Sequence, residues 1–242
     1  EVGGKPARKL NEQELPKVDM PRFDKVGTKD FPLPDAAHGV AQMLAPAILA
    51  EDPYPIRALI INRLDPLKSI PDTNQMKKAL EKLDLIVAVD VNYSDLAWYA
   101  DVILPESTYF ERTDCVQQAN GLKPQMFLRR QAVGPRYDTQ EYSLTIKQLA
   151  ERMGLGQYFP YETMDELVNW QLEGTGFAMT DFEAKGFVAY GKDQIFWERA
   201  EGLKFKTPSA KIEFKSSLLE EAGCESFPAY TPVPVPANDR FR

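Results

Sequence analysis

The chain has 242 residues, of which 43% are hydrophobic, 27% charged and 11% aromatic. This composition supports a folded domain with a buried core and argues against overall disorder. A formal net charge of −7 disfavours a duplex-binding surface, because neutralising phosphates requires a basic face. The longest apolar stretches, 58–61 and 85–89, are far shorter than the ~20 residues that cross a bilayer. The composition therefore predicts no nucleic-acid partner and no direct membrane insertion.

Cys115 and Cys224 are the only cysteines, and His38 is the only histidine. This chain alone therefore cannot assemble a Cys₄, Cys₂His₂ or His₃ zinc site, nor can it hold an iron–sulfur cluster. Two cysteines allow one disulfide but do not imply it. A Ser-His-Asp or Cys-His mechanism would depend entirely on His38, which lies near the start of a predicted helix and is favoured as a capping or surface residue. The sequence thus predicts neither a metal site nor a catalytic residue in this chain.

Both ends of the chain are typical of connecting segments. Residues 1–34 contain five prolines among scattered charges, which favours an arm that lies across another surface. The sequence begins at Glu1 instead of a methionine, and a stretch of alternating prolines over 228–236 favours extended backbone. We therefore expect either a processed chain or an interior-to-C-terminal segment of a longer protein.

From residue 35 onward, the hydrophobic pattern predicts an α/β core. Asp35 caps the first predicted helix. A short apolar strand over 56–61, a helix that starts at Asp72 and an apolar strand over 85–89 then form a βαβ unit with parallel strands. The second of these strands has no polar alternation, which is typical of a strand covered on both faces. A third strand over 102–104 extends the sheet.

Helices and a hairpin are predicted for the rest of the chain. Asp138, Thr163 and Thr180 each open a predicted helix, because a glutamate follows each of them three positions later. Residues 204–214 are typical of a hairpin with Pro208 and Ser209 in its turn. The apolar residues that helical spacing turns inward are Met76, Ala79, Leu80, Leu83, Tyr142, Ile146, Leu149, Ala150, Met153, Met164, Leu167, Val168 and Leu172.

These elements predict an α/β fold with a Rossmann-like parallel sheet and flanking helices, followed by a helical segment and a C-terminal hairpin and extended connector. The predicted division is a Pro-rich arm and helix over 1–55, an α/β region over 56–155, a helical segment over 156–202 and a hairpin and connector over 203–242. Three strands with one face built for partners outside this chain would expose apolar area, which favours self-association or loose packing.

Polar residues directly follow two neighbouring predicted strands. Asn62 comes after the first strand and Asp90 after the second. Ligands of open parallel sheets gather at the carboxyl ends of the strands, where an amide can read a base edge and a carboxylate can accept hydrogen bonds from a ribose or guanine. A nucleotide-shaped ligand is one interpretation. The other is structural: Asp90 caps the turn before Ser94, and Asn62 starts a turn.

Two common nucleotide motifs are absent. The loop over 62–69 has no glycine and so lacks the G-x-G-x-x-G pattern, and Walker A spacing does not occur, which disfavours an ordinary NAD site and a P-loop. The acidic residues around the third strand suggest acid/base work, but bonds to backbone N–H groups and arginines are the stronger interpretation. Three later arginines could hold an anion or pair with those acids. The acidic residues are Asp101, Glu106, Glu111 and Asp114, and the arginines are Arg129, Arg130 and Arg136.

Four motifs occur in one order along the chain. They are Ala58–Pro66, then Lys78–Val87 with Asp90, then Ala97–Glu106 with Phe110–Arg112, and finally Thr207–Phe214. Together they resemble the molybdopterin oxidoreductases of the dimethyl-sulfoxide-reductase class, in which A-D-V-V-L-P recurs where this chain reads A-D-V-I-L-P. The resemblance covers residues 28–236 and is strongest to polysulfide and thiosulfate reductase catalytic subunits. Respiratory arsenate and tetrathionate reductases are close competitors.

The resemblance implies cofactors and site residues. The full-length parent would carry Mo-bis(molybdopterin guanine dinucleotide), or its tungsten form, and a [4Fe-4S] cluster, and would reduce polysulfide or thiosulfate by two-electron transfer. Asn62 and Asp90 match positions that bind the guanosine end of one pterin dinucleotide. Arg112 matches a basic residue that contacts the cofactor, and Tyr142 lies near another such contact. The α/β region over 56–155 would then be the pterin-guanosine-binding region.

The resemblance also implies partners and a location. The partners would be the remaining domains of the parent chain, an iron–sulfur electron-transfer subunit and a membrane-anchor subunit, at the periplasmic or extracytoplasmic face. Cluster cysteines and the metal ligand belong to the front of such proteins, so this segment would be inactive alone. Two other interpretations stay open: a non-catalytic nucleotide-binding or scaffold α/β module, and a receiver-like enzyme that is phosphorylated at Asp90 but lacks a second acidic pair.

Overall fold

The computed structural model describes residues 6–9, 19–26, 28, 39–119, 123–191, 205, 207–221, 223–227, 229–230 and 232. The predicted cap Asp35 and the histidine His38 lie outside these residues. The described helices are α1 Leu44–Ala50, α2 Pro66–Ser69, α3 Thr73–Leu80, α4 Tyr142–Arg152, α5 Met164–Leu172 and α6 Ser217–Glu221. The described strands are β1 Ala58–Asn62, β2 Leu85–Asp90, β3 Val102–Pro105, β4 Gln117–Ala119, β5 Gln125–Phe127 and β6 Phe187–Ala189.

Strands β1, β2 and β3 form a parallel sheet in that order. Ile60 is in register with Val87, and Val87 is in register with Val102. The predicted βαβ unit and its third strand are therefore confirmed. Because consecutive parallel strands lie side by side, their carboxyl ends at Asn62, Asp90 and Pro105 meet along one edge of the sheet.

Helix α3 forms where the sequence predicts it. Asp72 precedes the helix, and its carboxylate accepts a hydrogen bond from the backbone N–H of Gln75 at 3.0 Å. This bond satisfies one of the N–H groups that a helix start leaves unpaired. Met76, Ala79 and Leu80 are completely or almost completely buried, as the helical spacing predicts, and they belong to the core that joins α1 to the sheet.

The two faces of the parallel sheet are covered unequally. One face, which carries Ile61 and Ile86, packs into the core with α1, α2 and α3. On the other face Ile60 and Leu85 are 43% and 39% exposed, and a groove of about 420 Å³ separates this face from α4. The prediction that β2 is covered on both faces is thus confirmed only for the carboxyl-terminal half of the strand: on the groove side Val89 is 1% exposed, whereas Leu85 at the start of the strand is exposed. The expected exposure of apolar area is confirmed.

Helix α4 starts later than its capping pattern predicted. Its cap is Glu141, whose carboxylate accepts a hydrogen bond from the backbone N–H of Ser143 at 2.6 Å. Asp138 does not cap it, because the chain before Glu141 pairs with the end of β3 instead of turning. Gln140 donates its backbone N–H to Pro105 at 3.3 Å in that pairing. The predicted opening of this helix at Asp138 is therefore corrected.

The residues predicted to face inward are less completely buried in α4 than in α5. In α4, Leu149 and Met153 are exposed, because Leu149 lines the open groove and Met153 follows the helix end. In α5, Thr163 caps the helix by accepting from the N–H of Glu166 at 3.2 Å. The predicted inward residues of α5 are all buried, namely Met164, Leu167, Val168 and Leu172.

A second sheet of short antiparallel strands has the order β4-β5-β6. Met126 at its centre is completely buried against residues of α5. The buried amide of Gln171 ties this region together, because it accepts from the N–H of Val116 at 2.9 Å and donates to the carbonyl of Arg8 at 3.2 Å. Through Arg8, the described start of the N-terminal arm is attached to α5.

A buried carboxylate anchors another part of the arm. Asp24 accepts hydrogen bonds from the backbone N–H of Val26 at 3.1 Å and of Val40 at 2.9 Å, and it forms an ion pair with Arg22. The Arg22 guanidinium, assisted by those N–H groups, holds the pKa of the Asp24 carboxyl well below its ordinary value. Residues 19–26 are thereby held against the segment that leads into α1.

The C-terminal segment differs from its prediction. Residues 207–214 contain no strand; the N–H of Ala210 donates to the carbonyl of Thr207 at 2.9 Å, and a left-handed Ala210 with φ of 55° turns the chain away from strand pairing. The predicted hairpin is thus only a turn over the described residues, and Phe214 is exposed instead of packed. Cys115 and Cys224 are free thiols.

Candidate functional site

The carboxyl edge of the parallel sheet begins with a sharp turn at the end of β1. Arg63 follows Asn62 with a left-handed φ of 52°, which is uncommon for a residue that carries a Cβ atom. The backbone N–H of Arg63 donates to the carbonyl of Val89 at 3.1 Å. This turn keeps the chain beside β2 and places the guanidinium of Arg63 at the edge of the sheet.

Glu106 follows β3 and is at the centre of this edge. The residue is 1% exposed, and its Oε2 accepts hydrogen bonds from Nδ2 of Asn62 at 2.9 Å and Nε of Arg63 at 2.6 Å. A second nitrogen of Arg63 bonds Oε1, and Nη1 of Arg112 lies 3.4 Å from that oxygen. The backbone N–H of Glu106 donates to the carbonyl of Asp90 at 3.0 Å. One buried carboxylate thus joins an amide and two guanidinium groups.

The hydrogen bonds of Asn62 orient its side-chain amide. Nδ2 donates to the backbone carbonyl of Val89 at 3.3 Å and to Glu106 at 2.9 Å. An amide nitrogen has two hydrogens, so these bonds use both. The carbonyl oxygen Oδ1 is therefore the atom of this side chain that an outside hydrogen-bond donor could use.

Arg112 is held inside the protein. The residue is 4% exposed; its Nε donates to Asp114 at 2.8 Å, and its Nη1 bonds the backbone carbonyl of Ser107. The ring of Tyr109 lies 5.1 Å from the guanidinium carbon, a distance typical of a cation–π contact. Arg112 also lines a polar cavity of about 420 Å³ together with Glu141. Its position behind the carboxyl edge supports that edge from within.

Asp90 lies at the same edge but turns to the other face. Asn62 is in register with Val89, and successive side chains of a strand alternate between faces, so the carboxylate of Asp90 leaves the sheet on the side opposite the Asn62 amide. Asp90 is partly exposed, and its Oδ1 accepts a hydrogen bond from the backbone N–H of Val91 at 2.7 Å. The structure therefore brings the two strand ends together without bringing these two side chains into contact.

Tyr142 is the first residue of α4 and lines the groove beside β2 and β3. Burial raises the pKa of its phenol, and the charge of the nearby Glu106 raises it further. The phenol is therefore a hydrogen-bonding group without charge at neutral pH. Tyr142 lies near the carboxyl edge but outside the hydrogen bonds that link Asn62, Glu106 and Arg112.

The pKa values of Arg63 and Glu141 are both raised, but for different physical reasons. The hydrogen bonds that Arg63 donates to Glu106 raise the pKa of the Arg63 guanidinium, which therefore stays charged. Burial raises the pKa of Glu141, and this effect exceeds the lowering by hydrogen bonds from Ser143 and by the charge of Arg63. An oxygen of Glu141 lies 3.9 Å from Arg63. Protonation of Glu141 thus changes the charge balance around Arg63.

The structure links two of the four candidate residues, Asn62 and Arg112, through Glu106. Sequence reasoning placed Glu106 in an acidic cluster and did not identify its central position, and it did not single out Arg63 at all. A detectable signal existed, because a basic and an acidic residue each come two positions after the end of the first and third predicted strands, respectively. The contact itself depends on tertiary structure.

The other acids around β3 have structural partners. Asp101 accepts from the backbone N–H of Ile86 at 2.7 Å, Glu111 accepts from the hydroxyl of Thr108 at 2.7 Å, and Asp114 pairs with two arginines. The structural interpretation of this cluster is confirmed. Of the three later arginines, Arg129 pairs with Asp114 of this cluster, and Arg130 pairs with Asp165 outside it at 3.4 Å. Among the described residues, no group of three or more side chains could hold a metal ion.

Comparison with protein families identifies the class. Residues 35–152 match the family model described as Molybdopterin oxidoreductase. This range contains the whole parallel sheet, its carboxyl edge and α4. This region of the chain belongs to the molybdopterin oxidoreductase family, and the resemblance carried by the sequence motifs is confirmed.

Individual relatives include a thiosulfate reductase molybdopterin-containing subunit, PhsA, of Salmonella typhimurium, which is 34% identical over 235 residues. That match covers 88% of this chain and 31% of the relative. The assimilatory nitrate reductase catalytic subunit of Bacillus subtilis is 32% identical over 168 residues, covering 69% of this chain and 22% of the relative. The chain therefore spans about a third or less of the length of these curated relatives.

A solved structure has the same fold. Acetylene hydratase from Pelobacter acetylenicus superposes with a TM-score of 0.69 at 28% identity, over 80% of this chain and 26% of that one. The α/β fold with its parallel sheet is thus shared with a molybdopterin enzyme. Over the residues that the structure describes, no helix is long and apolar enough to cross a membrane. The names of the relatives include reductases and a hydratase, so membership of the family does not by itself define the reaction.

Proposed function

We propose that this chain is part of the catalytic subunit of a molybdopterin-dependent oxidoreductase that reduces thiosulfate or polysulfide. The match to a thiosulfate reductase subunit over 88% of the chain supports this choice of substrate. With thiosulfate, two electrons and two protons would cleave the sulfur–sulfur bond and yield hydrogensulfite and hydrogensulfide. The bound Mo-bis(molybdopterin guanine dinucleotide) would supply the metal centre for this two-electron step. A [4Fe-4S] cluster would be held by parts of the protein outside this chain.

Within that protein, this segment would bind the guanosine end of one pterin dinucleotide. The carboxyl edge of the parallel sheet carries the proposal, because it presents hydrogen-bond acceptors. Nδ2 of Asn62 is bonded to the Val89 carbonyl and to Glu106, so Oδ1 of the same amide faces away from them. Asp90 is partly exposed. Guanine presents ring N–H and amino donors, and ribose presents hydroxyl donors. A guanosine that lies across the end of β2 would meet acceptors from both faces of the sheet.

Arg112 and Tyr142 would have different parts in this site. The donors of Arg112 bond Asp114 and Ser107, so we propose that it supports the cofactor-binding edge from inside the protein. Tyr142 lines the groove beside β3 and has a neutral hydroxyl, which suits a hydrogen bond to a polar part of the cofactor. Neither residue holds or transfers a proton in the proposed reaction; their contribution is binding and orientation.

The fraction of the relatives that this chain spans supports further domains in the parent chain. We propose that the remaining domains of the parent chain complete the cofactor site, and that an iron–sulfur subunit and a membrane-anchor subunit deliver electrons at an extracytoplasmic face. The similarity to a subunit of a thiosulfate reductase supports an assembly of several chains.

The complete reading frame that carries this sequence provides the test. We expect the purified protein to reduce thiosulfate or polysulfide with a reduced viologen dye, and to release guanine nucleotide and molybdenum or tungsten after acid denaturation. Protein from cells grown without molybdate and tungstate is the control and should lose both metal and turnover. Full turnover in that metal-free preparation, or the absence of released guanine nucleotide, would contradict the proposal.

A further inference from the structure

Glu106 contacts more of the carboxyl edge than any of the residues proposed to bind guanosine. Its carboxylate bonds Asn62 and Arg63 and pairs with Arg112, and its backbone N–H bonds the carbonyl of Asp90. The side chain is completely shielded from solvent. A ligand at the sheet edge would therefore meet atoms that Glu106 holds without touching Glu106 itself.

The polarity of the Asn62 amide depends on this carboxylate. An amide can rotate by 180° and exchange its N–H donors with its carbonyl acceptor. Glu106 is an acceptor at 2.9 Å and fixes Nδ2 toward the protein interior, so Oδ1 faces away from it. The opposite orientation would set Oδ1 against a buried carboxylate and turn N–H groups toward guanine donors. Hydrogen bonds to a charged acceptor are also stronger than neutral ones, which favours a single orientation.

The charges of the two arginines depend on Glu106 as well. Arg63 and Arg112 both approach its carboxylate, and Arg112 is almost completely buried. Loss of the carboxylate would leave these guanidinium groups without that counter-charge, and Arg63 would be free to move over the edge of the sheet. The position of the Asn62 acceptor and the charge beside it are thus set by the same buried group.

We propose that Glu106 is a positioning residue of the guanosine site, which holds the Asn62 amide with its oxygen outward and keeps Arg63 in place. This inference rests on the proposed function, because it requires that the carboxyl edge bind guanosine. It assigns to Glu106 an action through Asn62 and not a contact with the ligand.

A double-mutant cycle tests this action. GDP is titrated by calorimetry into the cofactor-free form of the complete reading frame, as wild type, Glu106→Gln, Asn62→Ala and the double variant. We expect Glu106→Gln to weaken GDP binding about tenfold when Asn62 is present, which corresponds to about 1.4 kcal/mol. In the Asn62→Ala background the same change should weaken binding less than about twofold, because the amide it orients is gone. Glu111→Gln, five positions further along, is the matched control and should leave the affinity unchanged.

The outcomes separate the two proposals. If wild-type protein binds no GDP, or if Asn62→Ala and Asp90→Ala leave its affinity unchanged, the proposed guanosine site is wrong, and the inference about Glu106 is overturned with it. If Asn62→Ala weakens binding but Glu106→Gln causes no loss, or an equal loss in both backgrounds, only the positioning role is wrong. A merely structural role predicts the equal loss.

A polarity swap provides a second test that does not depend on Glu106→Gln being stable. In the combined variant Asn62→Asp with Glu106→Gln, the glutamine amide can donate to one oxygen of the new aspartate while the other oxygen faces outward; only the longer bond to the Val89 carbonyl is lost. The pair keeps its single negative charge beside Arg63. We expect this variant to bind GDP within about threefold of wild type, and Asn62→Asp alone to bind far more weakly, because two carboxylates would face each other. A swap variant that folds but binds no better than Asn62→Asp would overturn the proposal.

Discussion

The two ends of the parallel sheet carry the same types of charged side chain in opposite environments. At the amino end, Nε of Arg57 donates to Asp84 at 2.7 Å, and both side chains are more than half exposed. At the carboxyl end, the carboxylate of Glu106 is fully shielded and is approached by Arg63 and Arg112. Exposed pairs contribute little because water screens them, whereas a buried charge requires all its partners. Burial, and not residue type, distinguishes the end of the sheet that can organise a site.

The largest expected effect is on folding, at the buried end. Glu106→Ala should lower the free energy of unfolding by about 3–5 kcal/mol, because it removes the buried carboxylate that accepts from Asn62 and Arg63 and that pairs with Arg112. Chemical denaturation of the cofactor-free protein measures this loss. A decrease of less than about 1 kcal/mol, similar to that of an exposed pair, would show that the two ends of the sheet do not differ in the way their burial implies.

The next effect is on binding and leaves folding nearly unchanged. Asp90→Ala should weaken GDP affinity at least about tenfold, as expected for the loss of a charge-assisted hydrogen bond. The free energy of unfolding should change by less than about 0.5 kcal/mol, because Asp90 is partly exposed and its carboxylate bonds only the adjacent N–H of Val91 among the described residues. Calorimetric titration and chemical denaturation measure the two quantities on the same samples.

The matched control for Asp90→Ala is Asp84→Ala, which removes an exposed aspartate at the amino end. GDP affinity should be the same in that variant as in wild type. Equal losses of affinity in the two variants would mean that net charge, and not a specific contact at the end of β2, governs nucleotide binding.

A smaller effect concerns pH and has a defined sign. Burial raises the pKa of Glu141 above its ordinary value of 4.5, so the folded state binds a proton that the unfolded state has released. The stability of the protein should therefore fall as pH rises from 4.5 through the raised pKa, and Glu141→Gln should remove that part of the slope. Unfolding curves at a series of pH values check this. An unchanged slope in Glu141→Gln would contradict the assignment of the shift to Glu141.

Glu111 gives the opposite sign and serves as the comparison. Hydrogen bonds from the backbone N–H of Arg136 and from Thr108 lower its pKa. Its contribution to stability is therefore present above 4.5 and is lost as pH falls through the lowered pKa. Glu111→Gln should flatten the acidic limb of the stability curve and leave unchanged the limb that Glu141→Gln affects.

The smallest effect belongs to the exposed pair at the amino end. Arg57→Ala should lower the free energy of unfolding by less than about 1 kcal/mol, because both side chains of the pair remain in contact with water. The loss should shrink further at about 1 M salt, where charges are screened within about 3 Å. Denaturation at low and high salt measures it. A loss as large as that of Glu106→Ala would remove the contrast between the two ends.

Local patterns predicted those parts of the molecule that short-range physics determines. The helix that starts after Asp72 and the helix that starts after Thr163 both occur, because a side-chain cap and helical apolar spacing act within a few residues. The parallel strands and the shared edge of Asn62 and Asp90 were also predictable, since buried strands joined by a helix pair in parallel.

Long-range contacts account for what the sequence did not reveal. Glu106 and Asn62 are 44 positions apart, and no local pattern indicates that one buried carboxylate bonds the other residue's amide. The β6 strand has only three residues, too few for a periodic pattern, and it pairs with the distant β5. Once the register was known, the alternation of side chains placed Asp90 and Asn62 on opposite faces of the sheet. The sequence alone showed only that both residues lie at the ends of strands.

The most direct measurement is a crystal structure of the complete protein with its cofactor bound. We expect Oδ1 of Asn62 and a carboxylate oxygen of Asp90 each to lie within about 3.2 Å of a guanine or ribose donor, with Nδ2 of Asn62 still bonded to Glu106. A guanosine bound elsewhere, or an Asn62 amide that points its nitrogen at the base, would contradict the assignment of this edge.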